Sequence, residues 1–289
     1  MRTPAIIEAP SVLGLRPTGV QDLPAALLDA GLTAALPGAV HAGRVEPPAY
    51  DARHDPETGV LNLAGLAEYS VRLADAVGDV LDAGRAPVVL GGDCTILLGA
   101  LLGLRRRGRH GLLFLDGHSD FYQPSAEPAG EAASMELALV TGRGPRPLTD
   151  LEGRGPLVRD EDVAVLGFRD ADESGEAGMQ PLPPELYAMD LDGVRSSGAA
   201  AAARQAVERL AALGYWVHLD VDVLDDAIMP AVDYRQPGGL TWAELEEVLR
   251  TALSGAEAVG FDVTIFNPRL DADGSLATRL VACLRHGFS

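Results

Sequence analysis

The sequence predicts an α/β protein with a mainly parallel sheet, and two observations carry this prediction. Apolar runs of strand length recur along the 289 residues, and stretches with the apolar spacing of a helix separate most of them. Runs that are apolar on both faces are typical of strands buried in a parallel sheet with helices on either side. Hydrophobic residues make up 47% of the chain, which is enough for a sizeable core.

Six runs are predicted as strands and four stretches as helices. The strands are Ala5–Pro10, Ala86–Asp93, Gly111–Asp116, Val163–Phe168, Tyr215–Asp222 and Ala258–Val263, and the helices are Leu61–Gly84, Thr95–Gly108, Gly198–Gly214 and Thr241–Leu253. Thr241 with Glu244 three residues on matches a capping box. Gly142–Gly155 is predicted to be a surface connection. Since no repeat or linker divides the chain, we expect a single domain over residues 1–289.

Charge and cysteine content narrow the class of protein. The formal net charge is −19, which argues against nucleic acid and anionic membrane surfaces as partners because both need basic patches. Only Cys94 and Cys283 are present, too few for a disulfide framework, which fits a reducing compartment. No signal-peptide pattern and no apolar run of membrane-spanning length occur. We therefore expect a cytoplasmic protein.

Three predicted strands carry polar side chains at their carboxyl ends. These are Asp93 and Cys94 in VVLGGDC, Asp116, His118 and Asp120 in LFLDGHSDF, and Asp220 and Asp222 in WVHLDVD. Ligands of open parallel sheets bind beyond these ends, and in a strand that continues past Leu115, residues two apart would share one side. A divalent cation offsets the cost of burying carboxylates and an imidazole together. A polar strand end entering a solvated loop is the alternative, but the coincidence of three such ends favours a metal site.

These stretches together resemble the ureohydrolase family, which contains arginase and agmatinase. The family carries Gly-Gly-Asp-His, Asp-Ala-His-x-Asp and Asp-x-Asp motifs, the last in a segment ending Pro-x-x-Gly-Gly-Leu or similar. Here they read GGDC, DGHSD and DVDVLDDAIMPAVDYRQPGGL. Similar segments near the N-terminus, at 166–172 and at 260–268 extend the resemblance over most of the chain. It implies a three-layer αβα, arginase-like fold, a small-molecule substrate, a trimer or hexamer, and two divalent ions, with Mn²⁺ expected.

The resemblance also implies a ligand set and a mechanism. One ion would be held by Cys94, Asp116, Asp120 and Asp220, and the other by Asp116, His118, Asp220 and Asp222. A hydroxide bridging the ions would attack the central carbon of a guanidinium or related group, because two cations make hydroxide available near neutral pH. Asp120 would hold this hydroxide and carry its proton to the leaving amine.

Cys94 departs from the family, which has a histidine ligand at this position. A thiolate is a softer ligand than an imidazole and could shift the metal preference from Mn²⁺ towards Zn²⁺ or Fe²⁺. Alternatively, Cys94 is a small buried residue that binds nothing, which would leave a single metal.

Further departures concern the substrate. The family loop Ser-Gly-Asn-x-His-Gly reads AGEAASME here, so Glu131 replaces the Asn and Ala133 replaces a catalytic His. The family Glu that binds the guanidinium is replaced by Ile265, which removes a bidentate carboxylate and disfavours ordinary guanidino substrates unless Glu131 or Asp233 takes over this role. Because Glu131 would repel an α-carboxylate, we do not expect L-arginine to be the substrate.

Three more residues are candidates for substrate contacts. Asp233 and Tyr234 are bulky and polar where the family has small residues, and they line a substrate pocket or form a loop hydrogen-bond network. Asp172 matches a family position that meets the substrate's amino group, or it caps a helix or turn. His218 alternates with the two aspartates of Asp-x-Asp but lies deeper in the strand. Core burial is favoured for it, with support of a metal ligand as the alternative.

The leading hypothesis is a binuclear metal hydrolase that cleaves a linear C–N bond in an amidine, ureido or modified guanidino compound. A single-metal hydrolase acting on an amide is a variant, since histone deacetylases share this fold family. A catalytically inactive protein with a binding or structural role is the alternative, because the guanidinium Glu and the loop His are both replaced. LDVDVLDD also resembles the Asp-x-Asp-x-Val signature of haloacid-dehalogenase-type phosphatases. Its position far from the first strand argues against that class.

Overall fold

The computed structural model describes residues 1–289 and contains one eight-stranded sheet in which every pairing is parallel. The strands are β1 (Pro4–Glu8), β2 (Val40–Arg44), β3 (Ala86–Leu90), β4 (Gly111–Leu115), β5 (Val163–Leu166), β6 (Tyr187–Met189), β7 (Tyr215–Asp220) and β8 (Ala258–Thr264). Their order across the sheet is β2-β1-β3-β8-β7-β4-β5-β6. The predicted α/β fold with a parallel sheet is confirmed.

All six predicted strands are present, and two further strands were missed. Both missed strands, β2 and β6, lie at the edges of the sheet. The residues of β2 are mostly exposed and those of β6 are only partly buried, so neither has the doubly apolar run that marks a central strand. Most of the predicted strands also ran too long at the carboxyl end, since β3 ends at Leu90, β4 at Leu115 and β7 at Asp220.

Helices cover both faces of the sheet. They are α1 (Leu23–Asp29), α2 (Leu32–Ala35), α3 (Leu63–Asp82), α4 (Ile96–Arg105), α5 (Glu136–Val140), α6 (Arg146–Thr149), α7 (Ala171–Ala177), α8 (Leu191–Ser197), α9 (Ala199–Leu210), α10 (Trp242–Leu253) and α11 (Ser275–Gly287). The four predicted helices correspond to α3, α4, α9 and α10. The capping box at Thr241 and Glu244 is present. None of the helices has the length and apolar character that crossing a bilayer requires.

The stretch Gly142–Gly155 was predicted to be a surface connection, but part of it is a helix with buried side chains. It contains α6, and the side chains of Leu148 and Leu151 are buried in the apolar layer beside α3 to α5. The high Gly, Pro and Arg content of this stretch suggested a loop, although two of its leucines anchor it to the core. Burial of each leucine stabilises the folded state by about 1.5–3 kcal/mol.

Two apolar layers hold the sheet between its helices. Successive residues of β7 point alternately into the two layers. Tyr215, Val217 and Leu219 belong to one layer and Trp216 belongs to the other. The layer that contains Trp216 also contains buried residues of α3, α4 and α5. His218 and Asp220 share the parity of Trp216, so this face of β7 becomes polar towards its carboxyl end.

The turn from β3 to α4 passes very close to the segment after β1. A Cβ atom at Gly92 would lie 1.8 Å from the carbonyl oxygen of Ser11, so only glycine fits there. The backbone N–H of Asp93 donates to the same carbonyl at 3.0 Å. This contact fixes the turn immediately before Cys94.

Candidate metal centre

The sequence-predicted ligands lie at the carboxyl ends of three central strands. Cys94 is in the turn between β3 and α4, the DGHSD segment follows β4, and Asp220 is the last residue of β7. In the sheet, β8 lies between β3 and β7, and β4 lies beside β7. The sequence suggested that a strand continuing past Leu115 brings these side chains together, but this expectation was wrong. β4 ends at Leu115, and Asp120 has a left-handed backbone with φ +43°, so turns bring them together.

Asp116, His118 and Asp222 form one group of ligand type. One ligand atom from each lies within 4.8 Å of the other two. His118 Nδ1 is 2.9 Å from Asp222 Oδ2 and 3.7 Å from Asp116 Oδ1. Backbone N–H groups hold the carboxylates in place, because His118 donates to Asp116 Oδ1 at 2.6 Å and Gly117 donates to Asp222 Oδ1 at 3.1 Å.

The remaining predicted ligands lie beside this group. The thiol of Cys94 donates to Asp220 Oδ2 at 2.9 Å, and its sulfur is 3.2 Å from Thr264 Oγ1. Asp220 Oδ1 accepts from the backbone N–H of Asp222 at 2.8 Å. Asp120 shares a second ligand-type group with Asp116 and with Glu136, a residue that the sequence analysis did not single out.

The carboxylates are crowded where water cannot screen them. Burial, followed by the charge of Asp222, raises the pKa of Asp116 to about 6. Burial and neighbouring carboxylates also raise the pKa values of Asp120 and Asp220 well above their usual range. Burial would raise the pKa of Asp222 too, but the imidazole of His118 outweighs it and lowers that pKa.

The donor set fits a divalent cation. Asp116 Oδ2 is buried without a hydrogen-bond partner, although a buried carboxylate oxygen normally has one. Oxygen and imidazole ligands suit Mn²⁺, whereas the thiol of Cys94 adds a soft ligand that suits zinc. A cation among these groups would offset the repulsion that raises the carboxylate pKa values.

A cavity opens over this cluster. Its lining includes Cys94, His118, Asp120, Asp220 and Asp222 at the base. Around them lie Leu15, Tyr122, Glu127, Ala133, Ser134, Asp170, Glu173, Tyr234 and Ile265. The wall is rich in carboxylates, so it favours a neutral or cationic substrate over an anionic one.

The four residues predicted to contact substrate differ in position. Tyr234 lines the cavity, and its hydroxyl donates to the buried carboxylate of Glu131, which also lies 3.6 Å from Arg16 Nε. Asp233 accepts from Asn267 Nδ2 at 2.8 Å and from the Thr18 hydroxyl. Asp233 and Glu131 line a neighbouring depression on the other side of Tyr234.

Asp172 is exposed in the first turn of α7 and is not part of the cavity lining. Asp170 and Glu173, on either side of it, line the cavity instead. Asp170 Oδ2 accepts from the backbone N–H and the hydroxyl of Ser119, at 3.0 and 2.7 Å. These contacts tie the start of α7 to the DGHSD turn.

Ile265 lines the cavity in a strained backbone conformation. Its φ is +70°, which is rare for a β-branched residue, and its N–H donates to the Gly92 carbonyl at 2.8 Å. Strain of this kind is of order 1–3 kcal/mol and gathers at functional sites. The apolar side chain faces a cavity that is otherwise rich in carboxylates.

Sequence reasoning missed Glu136 and Asp262, and it did not connect them with His218. All three side chains are fully buried near the cluster. The period-two row Trp216, His218 and Asp220 was a usable signal for His218. Nothing in the apolar stretch around Glu136 indicates that its side chain turns towards the site.

The fold and the site define a parallel α/β protein with a carboxylate-rich, ligand-type cluster at its strand ends. The arginase family model matches residues 6–286. Arginase of Bacillus caldovelox is 29% identical over 98% of this chain and 97% of that protein, and arginase of Staphylococcus aureus strain COL is 27% identical over 96% and 94%. The native structure of the Bacillus caldovelox enzyme superposes with a TM-score of 0.88 at 27% identity, covering 100% of this chain and 99% of that one.

The chain therefore belongs to the arginase family, as its resemblance to ureohydrolases predicted. Membership supports a hydrolase that acts on a C–N bond of a small molecule and depends on metal ions. At 27–29% identity the relatives do not fix its substrate.

Proposed function

We propose that this protein hydrolyses a linear C–N bond in an amidine, ureido or modified guanidino compound, and that L-arginine is not its substrate. The observation that carries the proposal is the convergence of six ligand-type side chains, five of which line one cavity: Cys94, His118, Asp120, Asp220 and Asp222, with Asp116 buried beside them. Two divalent ions are proposed there, with Mn²⁺ expected and Zn²⁺ or Fe²⁺ as alternatives because of Cys94.

The proposed ligand sets follow the family pattern. Asp116, His118, Asp220 and Asp222 would hold one ion, and Cys94, Asp116, Asp120 and Asp220 would hold the other. When bound, such ions make hydroxide available near neutral pH and stabilise charge that develops on the substrate. The backbone N–H groups of Gly117 and His118 would keep two of these carboxylates oriented.

Asp120 is the proposed proton carrier. It lies at the cavity base, and burial raises the pKa of its carboxyl well above the usual range. A carboxylate that faces the nucleophile can take its proton and pass it to the leaving amine. No side-chain hydrogen bond fixes its oxygens to another residue, so they are available to a substrate.

The cavity wall supports the exclusion of L-arginine. Ile265 offers no carboxylate to a guanidinium at the position where the family has one, and Glu127, Asp170 and Glu173 would repel an α-carboxylate. Glu131 is already engaged by the hydroxyl of Tyr234 and lies near Arg16. A compact neutral or cationic amidine suits this wall better than an amino acid.

A catalytically inactive member of the family with a binding role is the second candidate, and Ile265 and Ala133 favour it. The two are separated by assaying ammonia and urea release from a panel of amidines, ureido compounds and guanidino compounds, after loading with Mn²⁺ or Zn²⁺. We expect turnover of at least one compound, reduced about 10²–10⁴-fold in Asp120→Asn as for loss of a general acid–base group. Turnover unchanged in Asp120→Asn would exclude the proton-carrier role, and no turnover in any metal form would favour the inactive candidate.

A further inference from the structure

The side chains of Cys94, Glu136 and His218 come together at one buried point, and of the three only Cys94 also lines the cavity. One ligand atom of each lies within 4.8 Å of the other two, and all three residues are buried. Zinc–ligand bonds of 2.0–2.3 Å place neighbouring ligand atoms roughly 3.3–3.8 Å apart in a tetrahedron. A contraction of about 1 Å at the widest separation would therefore bring all three to bonding distance. Cys94 also lines the cavity, which gives a cation a route to this point.

The side chains of Glu136 and His218 lie close together but leave several of their polar atoms without a hydrogen bond. His218 Nε2 lies 3.1 Å from Glu136 Oε1, which is an ion-pair distance, but the two groups are not aligned for a hydrogen bond. Both oxygens of Glu136 and Nε2 of His218 are buried without a hydrogen-bond partner. Buried polar atoms are rarely left unpaired, because desolvation is then uncompensated. The arrangement calls for a partner that can accept electron pairs from both side chains.

The imidazole of His218 is oriented by a carboxylate at Nδ1, as is common for metal-bound histidines. Its Nδ1 lies 2.5 Å from Asp262 Oδ1, and the Trp216 indole N–H donates to Asp262 Oδ2 at 2.5 Å. The register of β7 and β8 places His218 directly beside Asp262. A carboxylate that accepts the Nδ1 proton fixes the ring and leaves the Nε2 lone pair free for a cation.

We propose that Cys94, Glu136 and His218 bind one zinc-type divalent cation, with Asp262 as a positioning residue for His218. The set of one thiolate, one carboxylate and one imidazole favours Zn²⁺ over Mn²⁺. Binding would release the thiol proton, which Asp220 now accepts as a hydrogen bond. This inference rests on the proposed function in one respect. It moves the ion assigned there to Cys94 and three aspartates to the site formed by Cys94, Glu136 and His218. The ion proposed at Asp116, His118 and Asp222 is unaffected.

A buried imidazolium between two carboxylates is the competing account of His218. Burial lowers the pKa of His218, but Asp262 and Glu136 outweigh burial and raise that pKa well above its usual value. This account explains the contacts with Asp262 and with Glu136 Oε1. It leaves Glu136 Oε2 without a hydrogen-bond partner, and it does not explain why the sulfur of Cys94 lies beside the other two side chains.

The test is Co²⁺ substitution of the full-length protein, read by the near-ultraviolet charge-transfer band of a cobalt–thiolate bond. We expect the band in the wild-type protein and its loss in Cys94→Ser. Glu136→Gln and His218→Gln should weaken Co²⁺ binding, and Asp262→Asn should do so by about 10–100-fold, as for other groups that orient metal-bound histidines. His110→Gln is the matched control, because His110 belongs to none of the ligand-type groups and does not line the cavity.

X-ray absorption at the zinc edge of the wild-type protein provides a second measurement that needs no variant. One sulfur ligand at about 2.3 Å together with imidazole scattering supports the site. A wild-type protein that binds metal without sulfur contradicts it. So does a cobalt–thiolate band that persists unchanged in Glu136→Gln and His218→Gln, since Cys94 would then bind only with the aspartates. None of these readouts depends on turnover, so this inference and the proposed function can fail separately.

Discussion

Ile265 is the residue that most directly sets the chemistry of the cavity wall. Its side chain is apolar, nearly fully buried and part of the lining, and its backbone has φ +70°. The family resemblance places a guanidinium-binding Glu at this position. The protein therefore has an apolar surface where a planar cation would otherwise find two carboxylate oxygens.

Ile265→Glu should shift substrate preference towards guanidino compounds. A new carboxylate could bind two N–H groups of a guanidinium, and hydrogen bonds to charged groups contribute about 1.5–3 kcal/mol. We expect kcat/KM for simple guanidines to rise by at least about 10-fold, relative to neutral ureido compounds. Ile265→Gln has nearly the same shape without the charge, and an equal rise in both variants would refute the electrostatic explanation.

At the scale of single elements, the central strands were predictable and the edge strands were not. β3, β4, β7 and β8 are apolar on both faces because helices cover them, and this pattern is visible in the sequence. β2 and β6 pair on one side only, so exposed and polar residues such as His41 and Arg44 are tolerated there. The lengths of central strands were overestimated for a different reason, because in β3, β4 and β7 the predicted run continued into the turn after the strand.

The residues of the candidate site were predictable where they directly follow a strand. They were not predictable where they belong to a helix that packs against the site. Cys94, Asp116 and Asp220 stand directly after apolar runs, so the ligand-type cluster could be proposed from order alone. Glu136 comes from the first turn of α5 and reaches the cluster only through tertiary packing. Asp172 shows the opposite error, since a motif match cannot tell which of three neighbouring acidic residues faces the cavity.

The turn between β3 and α4 gives a prediction at the element scale. Gly92→Ala would force its Cβ against the carbonyl oxygen of Ser11, which cannot move without disturbing its bond to Asp93. We expect a loss of about 1–3 kcal/mol in the free energy of unfolding by urea, with weaker metal retention because Cys94 is two residues on.

Gly175→Ala is the matched control for Gly92→Ala. Gly175 lies within α7, and a Cβ there would meet nothing within 4 Å. Alanine favours a helix over glycine by about 0.8–1 kcal/mol, so this control should be neutral or slightly stabilising. Equal destabilisation by both substitutions would show that the close approach at Ser11 is not the cause.

At the scale of the whole molecule, stability should depend on pH and metal together. Burial raises the pKa of Asp116 to about 6, and burial raises that of Glu136 to about 8 despite the nearby imidazole of His218. Both groups stay protonated in the folded protein at pH values where the unfolded chain is ionised. The metal-free protein should therefore lose stability as pH rises from about 4 to about 8.

His118 and His218 act in the same direction. Burial lowers their pKa values, but neighbouring carboxylates outweigh it and raise them, so their stabilising contribution is lost as pH rises through the folded pKa. Asp222 has a lowered pKa, and its contribution is lost only in acid. Thermal unfolding at pH of about 5 and about 8.5, with chelator or with Mn²⁺ or Zn²⁺, measures the sum.

Added cation should raise the unfolding temperature more at the higher pH, where the carboxylates are ionised. Binding at a concentration 100-fold above Kd contributes about 2.7 kcal/mol per site. A metal-induced shift that is equal at both pH values, or larger in acid, would contradict the proposed link between the carboxylates and the cation. A chelated protein with no pH dependence over this range would contradict it as well.

Several whole-molecule predictions from the sequence remain predictions. They are the single domain over residues 1–289, the cytoplasmic location and the trimeric or hexameric assembly. The net charge of −19 is consistent with a small-molecule substrate, and no step in the chemistry requires a basic surface. Analytical ultracentrifugation of the metal-loaded protein would determine the assembly.

The most direct test of the central claim is metal stoichiometry by elemental analysis, on protein purified without chelator and reconstituted with Mn²⁺ or Zn²⁺. Asp116→Asn is the comparison, because it keeps the shape of a side chain that the family-type ligand sets place against both ions, and that the reassigned zinc site leaves against one, while removing its charge. We expect about two ions per wild-type chain and at most about one in Asp116→Asn. Wild-type protein that binds no divalent ion under any of these conditions would contradict the account of the site as a metal centre.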